Sequence, residues 1–227
     1  MKKAFEGTLK VLALAVAMSV SAAASAQSAG TWFAKVGVNQ ITPKVVSGDM
    51  SAPALPGTKA DVGKDTEAIF AGGYMLTDNI STELFLGWPY THELTGAGSI
   101  SGSGKLGTAD VLPPTLFVQY RFLEAKSALR PYLGLGLSYV YFRKETGSGK
   151  LTAVTNTGSA TPTTFSLDNK FALTPQIGVT YAINDKWFLD GVVTKTYVKT
   201  TSHFSSGQTL DIKLDPVAIS FAVGYKF

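Results

Sequence analysis

The amino-acid sequence predicts an all-β protein: a transmembrane, eight-stranded, antiparallel up-and-down β-barrel. Three observations predict it. Of 227 residues, 45% are hydrophobic and only 16% charged, below the roughly 25% charge of soluble domains. Beyond the first thirty residues, no apolar run approaches the about 20 residues of a membrane helix. Apolar residues instead recur at every second position, as strands in lipid require, and the connections between these stretches alternate in length.

The first segment reads as an address. Lys2, Lys3 and Lys10 form a positive region, Val11 to Val20 an apolar one, and Ala24-Ser25-Ala26 a small-residue cleavage site. The expected domain organisation is therefore a cleaved signal peptide, 1–26, and a barrel, 27–227. Net charge is +4, and without the leader about +2, so the basic balance is no argument for nucleic acid. The chain has no cysteine, which excludes a disulfide framework or a thiolate metal site.

Alternation is clearest in the last predicted strand. Val217, Ile219, Phe221, Val223, Tyr225 and Phe227 share one face; Ala218, Ser220, Ala222, Gly224 and Lys226 share the other. Lipid accepts large side chains, whereas a narrow lumen has room mostly for small ones. By the same rule the earlier strands run about Thr31 to Asn39, Thr66 to Leu76, Ile80 to Tyr90, Thr115 to Phe122, Tyr132 to Phe142, Phe171 to Ile183 and Trp187 to Val198. The seventh is the weakest, with Lys195 among its outward residues, near enough to an end to snorkel. Aromatic residues recur at strand ends (Trp32, Tyr74, Trp88, Tyr120, Tyr181, Trp187, Tyr225), as the girdles at both membrane interfaces require.

Residues 40–65, 91–112, 143–169 and 199–209 make long connections, whereas Thr77-Asp78-Asn79, Leu123 to Arg130 and Asn184-Asp185-Lys186 are short. Four long connections on one side and three short turns on the other place both termini on the short-turn side. An export leader followed by this asymmetry is the pattern of a Gram-negative outer-membrane barrel, with short periplasmic turns and long external loops. Its expected surroundings are outer-membrane lipid and lipopolysaccharide. A terminal alternating strand with Tyr225 and ending in Phe227 resembles the signal read by the barrel-assembly machinery, with periplasmic chaperones as escorts.

Register fixes the inward set. Near the periplasmic end it holds Lys35, Glu83, Arg121 and Asp190, expected to pair as a neutral plug because unpaired charges there are costly. The external half holds Ile69, Phe117, Val140, Phe142 and Val198, joined from the last strand by Leu210, Ile212 and Leu214. An apolar pocket above a charged plug leaves a sideways exit, and Pro89 and Pro216, which cannot donate a ladder hydrogen bond, mark where the wall could open. Each proline also fits a plain strand end.

Several runs carry a resemblance: Thr77-Asp78-Asn79-Ile80, Pro89-Tyr90-Thr91-His92, Leu112-Pro113-Pro114-Thr115-Leu116, Arg130-Pro131-Tyr132-Leu133-Gly134-Leu135-Gly136, Leu214-Asp215-Pro216 and Gly224-Tyr225-Lys226-Phe227. Their order and spacing resemble the OmpW family of outer-membrane proteins. That resemblance implies an eight-stranded barrel with a hydrophobic channel, lateral release into the membrane and uptake of small hydrophobic molecules, with the alkane-uptake AlkL proteins as relatives.

Passive uptake of small apolar compounds is thus the first functional reading. A structural or receptor barrel recognised through its loops by phage or colicin is the second, and a lipid-modifying enzyme the third. The third finds little to work with: His92 and His203 read as solvated loop residues outside any serine or aspartate constellation. No catalytic residue, metal ligand set, cofactor site or nucleic-acid surface is expected; Gly96 to Gly104 reads as an external loop.

Overall fold

The computed structural model describes residues 27–227. The expected leader and its Ala24–Ala26 cleavage site lie outside the described residues. In chain order the strands are β1 (Trp32–Thr42), β2 (Val46–Ser47), β3 (Thr58–Val62), β4 (Asp65–Met75) and β5 (Ile80–Gly87). Next come β6 (Tyr90–Gly98), β7 (Lys105–Leu112), β8 (Thr115–Arg121) and β9 (Leu129–Gly147). A short helix, α1 (Gly149–Val154), precedes β10 (Phe165–Leu167), β11 (Lys170–Ala182), β12 (Trp187–Lys195), β13 (Lys199–Phe204), β14 (Thr209–Lys213) and β15 (Val217–Lys226).

Eight of these make a closed antiparallel wall. Its order is β11-β12-β15-β1-β4-β5-β8-β9, and β9 returns to β11. The last strand pairs with the first from Phe33↔Lys226 to Thr42↔Val217. Each wall strand buries alternate residues, most regularly β8, where Thr115, Phe117, Gln119 and Arg121 turn inward while Leu116, Val118 and Tyr120 face out. Two aromatic belts ring the outside. Near the short turns, Trp32 packs at a tilt against Tyr74 (4.7 Å) and Trp187 meets Tyr225 edge to face (4.9 Å). At the other end Tyr139 meets Phe171 (4.9 Å), and Trp88 is exposed.

The short turns are closed by their own side chains. Thr77 Oγ1 accepts from Asn79 N and Ile80 N (3.2 and 2.9 Å), and Asn184 Oδ1 accepts from Lys186 N and Trp187 N (2.9 Å each). These are the Thr and Asx turns that such residues favour.

The small inward residues are not merely space-saving. Large aromatics lie flat over glycines of the neighbouring strand. A Cβ on Gly73 would stand 2.2 Å from the Phe33 ring, on Gly224 2.1 Å from Phe188, and on Gly178 2.4 Å from Tyr132. The lower lumen is therefore filled by rings that need those glycines bare.

The long connections depart from expectation. Residues 91–112 and 199–209 are largely strand, not loop, and 40–65 carries β2 and β3 between irregular stretches. β7, β6 and β3 extend the sheet from the upper part of β9, and β10-β13-β14-β2 form a second, four-stranded sheet. Met50, Leu94, Leu106, Phe165, Phe204, Leu210 and Ile212 pack as one apolar cluster in this upper region. Above the membrane both faces of these strands carry Gly, Ser, Thr and charged residues, so the size contrast that marks a lipid-facing strand is lost. The run from Gly96 to Gly104 includes the end of β6 and a tight turn rather than an open loop.

Gly178→Val places a branched side chain into the Tyr132 ring. Urea unfolding of the refolded barrel should register a loss of about 1–3 kcal/mol, the usual cost of overpacking.

Candidate functional site

The lower lumen is closed by charge. Lys35 Nζ lies 2.8 Å from Glu83 Oε2 and 2.9 Å from Asp190 Oδ1, and all three side chains are buried. Tyr132 donates its hydroxyl to Asp190 Oδ2 (3.0 Å). Arg121 is fully buried, yet its partners are neutral. It donates from Nε to Ser81 Oγ (3.1 Å), from Nη1 to Gln27 Oε1 (3.0 Å) and from Nη2 to Gln119 Oε1 (2.8 Å). Its guanidinium sits over the Phe33 and Tyr132 rings, at 5.3 and 5.0 Å. One lysine thus serves two carboxylates, and the arginine balances the net charge one layer below.

Sequence reasoning missed the lowest layer. Arg130 is buried and donates to the carbonyls of Gln27 (2.9 Å) and Asp78 (2.6 Å). Gln27, held by both arginines, folds into the barrel mouth. Arg130 shares the inward parity of Tyr132, which is the signal that marks it; nothing in a strand pattern marks Gln27.

Above the plug lies a cavity of about 100 Å³. Phe117, Val140, Phe142, Val198, Ile212 and Leu214 line it. Of the other two residues expected there, Leu210 belongs to the cluster above, beside a smaller cavity, and Ile69 is buried but lines neither. The floor is more polar than expected. Asn39 donates to the Tyr90 hydroxyl (2.8 Å) and accepts from Ser220 Oγ (2.7 Å). Thr115, Ser138 and Thr174, on β8, β9 and β11, and Thr196, just past the end of β12, form a chain of hydroxyls at 2.6, 2.6 and 3.1 Å.

The two prolines expected at an opening differ. Around Pro216 the wall is stitched. Thr196 N donates to the Pro216 carbonyl (3.0 Å), Leu214 N to the Val198 carbonyl (3.0 Å), and Val198 N to Asp215 Oδ1 (3.1 Å). Lys195 Nζ donates to the Asp215 carbonyl rather than snorkelling free. Around Pro89 the ladder is interrupted. Pairing between β5 and β8 ends at Phe85↔Thr115 and resumes between β6 and β7 at Tyr90↔Val111. Leu86 to Pro89 and Leu112 to Pro114 lie between, and Pro89, Pro113 and Pro114 have no N–H to offer. Pro113 also lines the cavity.

His92 is not a solvated loop residue. It sits on β6, buried, lines the cavity and stacks with Tyr90 (6.4 Å). Its Nδ1 is 2.7 Å from the Gly63 carbonyl, so Nδ1 carries the proton and Nε2 the lone pair. Burial holds its pKa below the ordinary histidine value, against the opposing pull of the Gly63 bond and of Asp65. Glycine- and threonine-rich flanks hid its strand from pattern reading. His203 pairs with Asp168 (3.3 Å) on the exposed outer face of β13. Among the described residues no group of three or more His, Cys, Asp or Glu is placed to hold a metal.

Comparison with known proteins gives a consistent picture. The family model described as "OmpW family" matches residues 28–227. Outer membrane protein W of Vibrio cholerae is 34% identical over 97% of this chain and 99% of its own length. Outer membrane protein AlkL of Ectopseudomonas oleovorans is 28% identical over 87% of this chain and 83% of that protein. The crystal structure of the outer membrane protein OprG from Pseudomonas aeruginosa superposes with a TM-score of 0.79 at 28% identity, covering 91% of this chain and 99% of that one.

Two outcomes follow from the site. Lys35→Met leaves Glu83 and Asp190 facing each other without a cation, and should lower unfolding stability by about 3–5 kcal/mol. Adding Glu83→Gln and Asp190→Asn should recover most of that loss in the same urea titration. At the external end, the unfolded chain takes up a proton at His92 near pH 6.5, whereas the folded chain resists it. Stability of this end is therefore complete above about pH 6.5 and declines as pH falls towards the lower folded value. Amide protection in β3 and β6, expressed relative to the intrinsic exchange rate at each pH, should fall on acidification in the wild type, and not in His92→Gln.

Proposed function

Since the chain belongs to the OmpW family of outer-membrane β-barrel proteins, we propose that it admits small hydrophobic molecules passively from outside and releases them sideways into the membrane. One observation carries this reading: an apolar cavity stands directly above a lumen sealed by Lys35, Glu83, Asp190 and Arg121. An apolar molecule in the cavity has no way down, because desolvating and displacing that network is far costlier than moving through hydrocarbon. The interrupted ladder between Phe85↔Thr115 and Tyr90↔Val111 supports an exit at the same height. There the wall lacks the hydrogen bonds that elsewhere hold neighbouring strands together. Entry from outside requires the packed cluster above the cavity, Leu210 and Ile212 included, to part.

The exit assigned to this gap uses Pro89 with Pro113 and Pro114; Pro216 plays no part in it. The terminal strand, whose Tyr225 packs on Phe227 at 5.1 Å and whose Phe227 N donates to the Trp32 carbonyl (2.9 Å), is proposed to engage the assembly machinery before the ring closes.

Uptake of a hydrophobic fluorophore into cells carrying the protein tests the reading. Ile212→Arg should cut the rate at least several-fold. Pro89→Ala combined with Pro113→Ala, which returns two donors to the wall, should slow delivery while leaving binding to the purified barrel unchanged. Equal uptake by all three proteins would leave the loop-recognition role instead.

A further inference from the structure

On the outside of the barrel, at its external end, four lysines gather on one side. The outward positions run Lys195, Tyr197 and Lys199 from the end of β12 into β13, and Asp211 and Lys213 along β14. Lys199 and Lys213 stand directly opposite each other across the β13–β14 pair, and both are exposed. Like charges facing each other in this way destabilise a sheet. Lys44, also exposed, lies alongside, its N–H donating to the Leu214 carbonyl (2.7 Å).

The chain answers this charge only in part. Lys213 Nζ lies 3.0 Å from Asp215 Oδ2. The other Asp215 oxygen is taken by Val198 N, and Lys195 Nζ donates to the Asp215 carbonyl. Asp211, the second carboxylate here, accepts from Thr201 Oγ1 (2.7 Å). Among the described residues Lys44 and Lys199 reach no carboxylate. Four lysines thus face two carboxylates. Elsewhere on the upper strands Lys59 faces Asp49, Lys105 faces Glu93 and Lys170 faces Asp168.

Height decides what meets these lysines. Tyr197 is bridged to Leu173 of β11, two residues from Phe171, and all three side chains are exposed. They belong to the external aromatic belt that Phe171 forms with Tyr139. Lys195 Nζ lies 5.9 Å from the centre of the Tyr197 ring. Such belts sit at headgroup level, so the ammonium groups stand among the headgroups of the outer leaflet rather than in bulk water.

We infer that this patch docks the phosphates of the outer-leaflet glycolipid, lipopolysaccharide. A phosphate monoester carries about −1.5 to −2 charges at pH 7, enough to bridge Lys199 and Lys213 and cancel their repulsion. A phospholipid phosphate is a diester with one charge, and in phosphatidylethanolamine that charge already has its own ammonium. The inference is independent of the uptake reading, since it concerns the outer wall and requires no passage through the bore.

The test uses the full barrel in phosphatidylcholine nanodiscs, titrated with lipid A, lipid A stripped of its phosphates, or phosphatidylglycerol, with bound lipid counted by native mass spectrometry. Lipid A should bind at least about 5-fold more tightly than either of the others. Lys199→Gln with Lys213→Gln should weaken lipid A binding by about 10- to 30-fold, roughly 5-fold per lysine. Lys59→Gln with Lys105→Gln removes the same charge from the other upper sheet and should leave that binding unchanged. Lys199→Gln alone breaks no ion pair; it should lose about 5-fold in lipid A binding while resisting urea at least as well as the wild type in discs without lipid A. Equal binding of the three lipids by the wild type, unchanged lipid A binding by Lys199→Gln, or an equal loss in the Lys59 and Lys105 variant would overturn the inference.

Discussion

A peptide group facing hydrocarbon has no water to bond, and each one left open costs several kcal/mol. Everything else in this molecule follows from that constraint. It forces the eight wall strands into a ring, with β15 laid against β1 along nearly its whole length. Ring closure removes every wall edge, fixes the register, and with the register fixes which residues look inward. It also makes proline informative. In a soluble sheet a proline marks an edge; in a closed wall it withdraws a donor that nothing outside can replace. Around Pro216 the structure compensates with the carbonyls and carboxylate of Asp215 and its neighbours. Around Pro89, with Pro113 and Pro114 opposite, the ladder lapses for several residues.

Lipid hydrocarbon demands only grease, so within the membrane the chemistry is confined to the bore. There the layers are ordered by polarity. Arg130 and Gln27 close the lowest level, Arg121 the next, Lys35 with its two carboxylates the third, amides and hydroxyls the fourth, and hydrocarbon side chains the top. Such a gradient leaves the apolar upper bore closed from below. The same dense network that blocks descent stiffens the lower barrel, because Tyr132, Asp190, Lys35 and Glu83 each hold another in place.

Where lipid touches the chain, the fold was legible. Parity separates Leu116, Val118 and Tyr120 from Phe117, Gln119 and Arg121 without ambiguity, because one side must be large and apolar. Parity also put Lys35, Glu83 and Asp190 on one inner surface, and the fold brings them within ion-pair distance. Legibility failed above the membrane. The residues of β3, β6, β7, β13 and β14 face water on one side and each other across a small interior, so neither face is marked by size. His92 disappeared into what read as loop for that reason. Height was also hard to read. Strand tilt moves residues of equal count to different levels, which is why Leu210 and Ile69 fall outside the cavity that their parity suggested. Arg121 was assigned a carboxylate partner by charge counting alone, whereas the structure surrounds it with amides, a hydroxyl and two rings.

The aromatic rings lying on bare glycines carry a consequence for how this lineage can change. Phe33 with Gly73, Phe188 with Gly224, and Tyr132 with Gly178 are complementary halves belonging to different strands. Enlarging one half without shrinking the other produces a collision, and shrinking the ring alone opens a hole. The lower bore must therefore drift by coordinated exchanges across neighbouring strands, while single replacements accumulate freely on the lipid side. Divergent descendants should keep the diameter of the bore even after the residues that set it have all been replaced.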